Sequence, residues 1–142
     1  MLDNRPPRQP AARPSAAARG APPIDRRGLG ERGESLAAAH LERLGYRVVA
    51  RNERTRHGEI DLIVTDGRAL VFVEVKTRLE GSGPPLESLG PRKGRRVRRL
   101  AMRWLSETTD RPTAALLRLD AVGVVVDSNG RLVSLEHLED AF

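Results

Sequence analysis

The 142-residue sequence contains no cysteine. This absence excludes disulfide bonds and thiolate zinc sites, and it suits a reducing compartment. Aromatic residues make up only 3% of the chain, which argues against domains that bind nucleic acid by stacking bases on aromatic side chains. No apolar run approaches the roughly 18–20 residues of a membrane span, and no signal-peptide core is visible. The sequence therefore predicts a cytoplasmic protein with no membrane partner.

The positive charge of the chain is unevenly distributed. The formal net charge is +6, and residues 1–27 hold six arginines against two aspartates, a net of +4. The same segment contains six of the ten prolines and too few apolar residues to form a core. We therefore predict a disordered basic tail over residues 1–27 and one folded domain over residues 28–142.

The folded part has the pattern of an α/β protein. A helical apolar stripe predicts a first helix over residues 30–44, and a stripe that follows Pro91 predicts a second over residues 91–108. The stretch rich in Gly and Pro over residues 81–91 predicts a flexible loop that packs against nothing. Apolar and β-branched runs predict strands at 46–50, 58–64, 71–76, 116–126 and 132–135. The order αβββαββ indicates a mixed sheet of about five strands flanked by two helices.

Two of these strands carry charges where an ordinary buried strand would have valine or isoleucine. They read GEIDLIV over residues 58–64 and VFVEVK over residues 71–76. Burying a charge costs free energy unless the charge is paired or binds a metal. Asp61, Glu74 and Lys76 therefore indicate a functional site. The alternative is a surface salt-bridge cluster on the open face of an edge hairpin.

The turn over residues 66–68 decides whether these charges meet. Its sequence, Asp-Gly-Arg, is typical of a β-hairpin. A two-residue loop at residues 67–68 would place Asp61 directly opposite Glu74, and a loop at residues 66–67 would keep Asp61 on the same face as Glu74. A three-residue loop would turn Asp61 to the other face. Strict alternation also predicts that Ile60 shares a face with Leu62, opposite Asp61.

Two carboxylates opposite each other on a sheet repel. A divalent cation bound through oxygen atoms would reverse the sign of that interaction. Lys76, one position along on the same face as Glu74, could neutralise the pair or orient a water molecule. The residues alone thus predict a metal site between Asp61 and Glu74.

The first half of the second predicted helix is strongly basic. Seven cations fall within 12 residues, and no acid lies between Ser88 and Ser106. Like charges at this density repel, and a phosphate backbone would relieve the repulsion and release counterions. We therefore predict a nucleic-acid-binding surface rather than a merely solvated helix face. Its residues are Arg92, Lys93, Arg95, Arg96, Arg98 and Arg99.

The ordered set of these motifs resembles the bacterial YraN-like family, a largely uncharacterised group related to restriction-endonuclease-like nucleases and archaeal Holliday-junction resolvases. The resemblance covers about residues 28–142. Its elements are GERGE at 30–34, Asn52, GEIDLI at 58–63, VFVEVKTR at 71–78, PRK at 91–93 with Arg95-Arg96, LDAV at 119–122 and Ala141-Phe142. The chain has Gly94 where the family usually has glutamine, a departure that affects phosphate positioning, and Leu119 where it usually has phenylalanine.

The resemblance implies a restriction-endonuclease-like core with a catalytic metal site. Asp61, Glu74 and the Val75 carbonyl would bind Mg²⁺, with Mn²⁺ as a substitute, and Lys76 would position or activate the attacking water. Glu34 would reach the metal from the first helix, although the helix dipole alone would explain an acid there. Glu59 is either a carboxylate just outside the metal coordination sphere or a surface acid at the strand end.

The first hypothesis for function is a Mg²⁺-dependent endonuclease, a hydrolase acting on DNA and on branched DNA in particular. By analogy with the resolvases, this hypothesis includes assembly of the chain into a homodimer. The second hypothesis is a non-catalytic nucleic-acid-binding module that keeps the nuclease fold. A third, weaker one is an adaptor whose tail or basic helix docks an acidic protein.

Overall fold

The computed structural model describes residues 23–142. The predicted basic tail falls mostly on residues 1–22, which lie outside the described residues. Asp25 is the N-cap of the first helix, so that Arg26 and Arg27, which the sequence analysis assigned to the tail, belong to this helix. No helix within residues 23–142 is long and apolar enough to cross a membrane.

Two helices flank the sheet. Helix α1 spans Arg26–Arg43, and the Asp25 carboxylate accepts a hydrogen bond of 2.7 Å from the Gly28 amide in its first turn. The helix begins four residues before the predicted start because this cap precedes the apolar stripe. Helix α2 spans Pro91–Glu107, with the proline in the first turn, where its missing N–H costs nothing.

Five strands form one mixed sheet in the order β1-β2-β3-β4-β5. Their bounds are Arg47–Thr55, Gly58–Thr65, Ala69–Leu79, Leu116–Val126 and Leu132–Leu138. Strands β3 and β4 are parallel and are joined by α2, whereas the other neighbours are antiparallel. The predicted α/β fold with element order αβββαββ is confirmed. Strands β1, β3 and β5 are longer than predicted, since further residues at their ends continue the pairing.

Each face of the sheet packs against one helix. Helix α1 contributes Ala37, Ala38 and Leu41 to a cluster with the valines of β3 and β4. Helix α2 contributes Leu100, Ala101 and Trp104 to the opposite cluster, which includes Phe72. The rings of Phe72 and Trp104 meet edge to face, with centroids 5.7 Å apart.

The prediction that the loop over residues 81–91 packs against nothing is wrong. Pro85 is buried, and the side chains of Pro85 and Leu86 fill the space beside the Gly123 α-carbon on β4. A loop rich in proline loses little conformational entropy on ordering, so that a single apolar contact can dock it.

Candidate functional site

The β2–β3 hairpin has the register of a two-residue loop. Thr65 pairs with Leu70 and Leu62 with Val73. The Asp66 carboxylate accepts hydrogen bonds from the amides of residues 68 and 69, at 2.9 and 2.8 Å, which stabilises the turn. This register, continued by one residue, brings Asp61 level with Glu74, and it is the first of the alternatives that the turn sequence left open.

The pairing of β2 with β3 ends just before Asp61. The β2–β3 pairs stop at Leu62 and Val73, whereas β1 and β2 stay paired as far as Thr55 and Gly58. The outer half of the β1–β2 hairpin therefore parts from β3 and leaves a fork between the strands. Oδ2 of Asp61 accepts a hydrogen bond of 2.8 Å from the Val75 amide. The carboxylate thus lies in the fork, where it accepts the hydrogen bond that a backbone carbonyl of β2 would accept if the two strands were still paired.

The expected alternation of side chains along β2 breaks at this fork. Ile60 packs with the α2 cluster, whereas Leu62 packs with the α1 cluster. The prediction that these two residues share a face is therefore wrong. The break coincides with Asn52 on β1, which lies between the partners of Ile60 and Leu62 and has φ of 50°. This left-handed conformation disturbs the pleat, and asparagine tolerates it better than most residues.

Three carboxylates meet at the fork. Glu34, Glu59 and Asp61 each place one carboxylate oxygen within 4.8 Å of the others. Oriented with its nitrogen toward these acids, the Asn52 amide donates hydrogen bonds of 2.8 Å to both Glu34 and Glu59. Glu59 thus belongs to the acidic cluster, although it also lies 3.9 Å from the exposed Arg54 side chain.

Helix α1 delivers Glu34 to the cluster by a close approach to β3. A β-carbon at Gly33 would overlap the Thr77 side chain, so that only glycine allows the helix to lie this near the strand. Glu34 follows Gly33 directly and is half-buried at the fork. The GERGE motif therefore combines a packing requirement at Gly33 with an acid that joins the cluster.

Glu74 lies outside the cluster of three acids and is paired with two lysines. Its Oε1 atom is 3.3 Å from the Lys93 ammonium and 3.8 Å from the Lys76 ammonium. The Glu74 and Lys93 side chains are only 12% and 18% exposed, so the ion pair is weakly screened by water. Lys93, predicted as a nucleic-acid contact, therefore also reaches into the acidic site.

The proximity of the acids perturbs their proton affinity. Burial raises the pKa of Asp61 to about 7, and the charges of Glu74, Glu34 and Glu59 add to this rise, while the Val75 amide opposes it. Burial and the charge of Glu59 also raise the pKa of Glu34, against the Asn52 hydrogen bond. Such a cluster favours uptake of a positive charge, either a proton or a cation.

The environment of Lys76 lowers its proton affinity. Burial lowers the pKa of Lys76, and the adjacent Lys93 ammonium lowers it further, while the charges of Glu74 and Asp61 act in the opposite direction. A lowered pKa makes the deprotonated amine, which can accept a proton, easier to form.

A basic groove of about 730 Å³ adjoins the lysine side of the site. The cations that line it all come from α2, and they are Arg92, Lys93, Arg95, Arg96 and Arg99. Arg98, the sixth predicted nucleic-acid contact, lines other cavities and donates a hydrogen bond of 3.2 Å to the Phe142 carbonyl oxygen. The structure therefore places five of the six predicted cations in one groove.

Gly94 stands where the family usually has glutamine, and the structure shows that this position packs against Phe142. Gly94 is buried, and a β-carbon there would lie 3.2 Å from Cδ1 of Phe142. A side chain at position 94 would therefore point at Phe142 and would have to displace it.

Two contributors to the site escaped the sequence analysis. Asn52 was recognised as a motif residue without a role, and it lay beyond the predicted end of the first strand at residue 50, so that its low strand propensity gave no signal. His57 lines the groove from the β1–β2 turn. Its isolated position in the sequence gave no signal either.

A second polar network lies at Asp120, in the LDAV motif. The fully buried carboxylate accepts two hydrogen bonds from Arg118, at 2.8 and 3.0 Å, and another from the Asp140 amide. It also lies 2.8 Å from Nε2 of His137. Arg118 in turn donates to the Tyr46 hydroxyl. These bonds tie β4 and β5 to the segment before β1, which indicates a structural role.

The comparison with known proteins gives a consistent family match. The model described as "Uncharacterised protein family UPF0102" matches residues 33–124, which include the three clustered acids, Glu74 and all of α2. A UPF0102 protein of Pelotomaculum thermopropionicum is 45% identical over 115 residues, covering 80% of this chain and 94% of the relative. One from Geobacter metallireducens is 39% identical over 120 residues, covering 84% and 95%. One from Rhodococcus opacus is 44% identical over 115 residues, covering 80% and 95%.

Proposed function

The chain belongs to the uncharacterised protein family UPF0102, the YraN-like group that its motifs resemble, and we propose that it is a metal-dependent endonuclease. The observation that carries this proposal is the meeting of three carboxylates and Asn52 in a strand fork, beside a lysine-neutralised glutamate and a basic groove. The groove and the candidate reaction centre are thus contiguous, and Lys93 belongs to both.

The donor set of the fork fits a hard divalent cation. Carboxylate oxygens are the ligands that Mg²⁺ and Mn²⁺ prefer. Glu34, Glu59 and Asp61 would hold the ion, with Glu74 and the Val75 carbonyl as further ligands. When bound, the metal would polarise the scissile phosphate and lower the pKa of a water molecule.

The remaining residues have roles that follow from charge and position. Lys76 would orient the attacking water or accept its proton, because burial lowers the pKa of its ammonium. Lys93 would hold a phosphate close to Glu74, since it belongs to both the groove and the ion pair. The arginines of α2 that line the groove would bind the sugar–phosphate backbone without reading bases.

A cleavage assay tests this proposal directly. The purified full chain is incubated with four-way, flap and linear DNA in the presence of Mg²⁺ or Mn²⁺. We expect Asp61→Asn to lower the cleavage rate about 100-fold or more, because a lost metal ligand removes several kcal/mol of transition-state stabilisation. Asp110→Asn, at an exposed acid in the loop after α2, is the matched control. Equal rates for wild type and Asp61→Asn would refute the proposal.

A second candidate is a non-catalytic nucleic-acid-binding module. One observation favours it, since Asn52, Lys76 and Lys93 already provide partners for Glu34, Glu59 and Glu74. Calorimetric titration with Mn²⁺ separates the two candidates. The nuclease predicts one site that is lost in Asp61→Asn, whereas the module predicts no heat that depends on Asp61.

A further inference from the structure

The basic groove has a second wall, which is the turn of the β1–β2 hairpin. His57 in this turn lines the groove together with the cations of α2. Gly58 brings the hairpin backbone against the helix, since a β-carbon there would lie 3.3 Å from Nε and Nη2 of Arg96. Gly58 also has φ of 144°, which residues with a side chain rarely adopt. The groove is therefore bounded by two different elements.

Apolar packing holds the two walls at a defined separation. Ile60 is 4% exposed and packs with Leu100 and Trp104 of α2. The outer half of the hairpin has parted from β3, so that this contact with α2 takes the place of sheet pairing. A groove whose walls share a close-packed core has a fixed width before any ligand binds, which lowers the entropic cost of binding.

The outer part of the hairpin carries its own cations. Arg54 lies 3.9 Å from the carboxylate of Glu59. Arg56 is exposed in the turn itself, next to His57. Glu59 lies two residues beyond His57 and belongs to the acidic cluster. A polyanion bound at the turn would therefore extend along β2 toward the carboxylates.

We propose that the β1–β2 turn is a second nucleic-acid-binding wall, in which Arg56 and His57 contact the phosphate backbone of a strand held on its other side by α2. The inference rests on the nucleic-acid-binding part of the proposed function. No Phe, Tyr or Trp side chain lines the groove within the described part of the chain, and the proposed contacts are electrostatic and independent of base sequence.

The test measures binding without catalysis. Fluorescence anisotropy follows labelled single-stranded, duplex and four-way DNA with the full chain in EDTA, over a range of salt concentrations. We expect Arg56→Gln to raise Kd about 3- to 10-fold and to reduce the salt slope by about one. Arg131→Gln removes the same charge from an exposed arginine before β5, at the opposite edge of the sheet, and is expected to leave Kd unchanged.

The outcomes separate this inference from the proposed nuclease. If Arg56→Gln binds DNA like the wild type and like Arg131→Gln at every salt concentration, the second wall is overturned, whether or not the protein cleaves DNA. If Arg56→Gln alone weakens binding while no DNA is cleaved with Mg²⁺, the wall is supported and only the nuclease activity fails. If the wild type binds none of the three DNAs, both the wall and the proposed function are overturned.

Discussion

The Asp61 carboxylate lies where β2 and β3 separate, partly removed from water and close to three other acids. Its position explains why a charge is present inside an apolar strand. The fork offers the carboxylate a backbone donor in Val75, and the neighbouring acids make it a place where added positive charge is favourable. Strain and like-charge repulsion of this kind are typical of functional sites.

The raised pKa of Asp61 predicts a pH-dependent stability of the metal-free protein. Because its pKa is about 7 in the fold and near 3.8 when unfolded, the folded chain binds more protons between these values. The free energy of unfolding should therefore be highest below pH 4 for this group and fall as pH rises toward 7. Allowing for solvent screening, the loss is roughly 1–3 kcal/mol.

Urea denaturation in EDTA at pH 5 and pH 8 measures this effect. Asp61→Asn keeps a hydrogen-bond acceptor for the Val75 amide but does not titrate. We expect the wild type to lose stability relative to this variant between the two pH values. A constant difference between the two proteins across this range would contradict the assigned environment of Asp61.

Asn52 combines an unusual backbone with a double hydrogen bond, and two substitutions separate these contributions. Asn52→Gly and Asn52→Ala both remove the amide that bonds Glu34 and Glu59. Only alanine is also strained at φ of 50°, so that Asn52→Ala should be less stable than Asn52→Gly by about 0.5–1 kcal/mol. Chemical denaturation gives the comparison, and equal stabilities would show that the backbone conformation relaxes at no cost.

At the scale of elements, α2 has two distinct faces. Its apolar side covers the sheet through Leu100 and Trp104, and its basic side forms one wall of the groove. The fork depends on three strands, because β2 stays paired with β1 beyond the point where its pairing with β3 ends. Site and groove thus depend on how the elements pack rather than on any one of them.

Arginines of α2 that are close in sequence should differ in their effect on DNA binding, because only some of them line the groove. Arg96→Gln and Arg99→Gln should each weaken DNA binding and lower the salt slope by about one, since both line the groove. Arg98→Gln should change binding little, because its guanidinium is bonded to Phe142 outside the groove. Anisotropy titrations compare the three variants. An equal loss for Arg98→Gln would mean that DNA contacts the helix in a different orientation.

At the scale of the whole molecule, the Asp120 network joins β4, β5 and the segment before β1. The carboxylate is fully buried and bonded to Arg118, His137 and the Asp140 amide. Removing its charge would leave the half-buried Arg118 without its main partner, which typically costs about 3–5 kcal/mol.

We therefore expect Asp120→Asn to lower the free energy of unfolding by several kcal/mol, measured by thermal or urea denaturation. Asp110→Asn, at an exposed acid, should have an effect within about 0.5 kcal/mol. A stable Asp120→Asn protein that has lost DNA cleavage would instead assign Asp120 to the reaction rather than to the fold.

Much of the fold follows from local patterns in the chain. The element order and the position of Pro91 in the first turn of α2 depend on neighbouring residues, so periodicity and local residue preferences determine them. The turn after β2 left three registers open, and the pairing of Leu62 with Val73 in the structure selects one of them. The extent of β1 and β5 does not follow from local patterns, because polar strand residues are held by partners distant in sequence.

The amino-acid sequence by itself determined that charged residues stand inside apolar strands and that a basic helix follows them, because composition and spacing are properties of the chain alone. Only the tertiary structure decided that Glu34 meets Asp61, that Asn52 bonds Glu34 and Glu59, and that Lys93 reaches Glu74. These contacts arise where α1 packs closely on β3 and where β2 leaves β3. Both are consequences of packing between distant segments, which local periodicity does not encode.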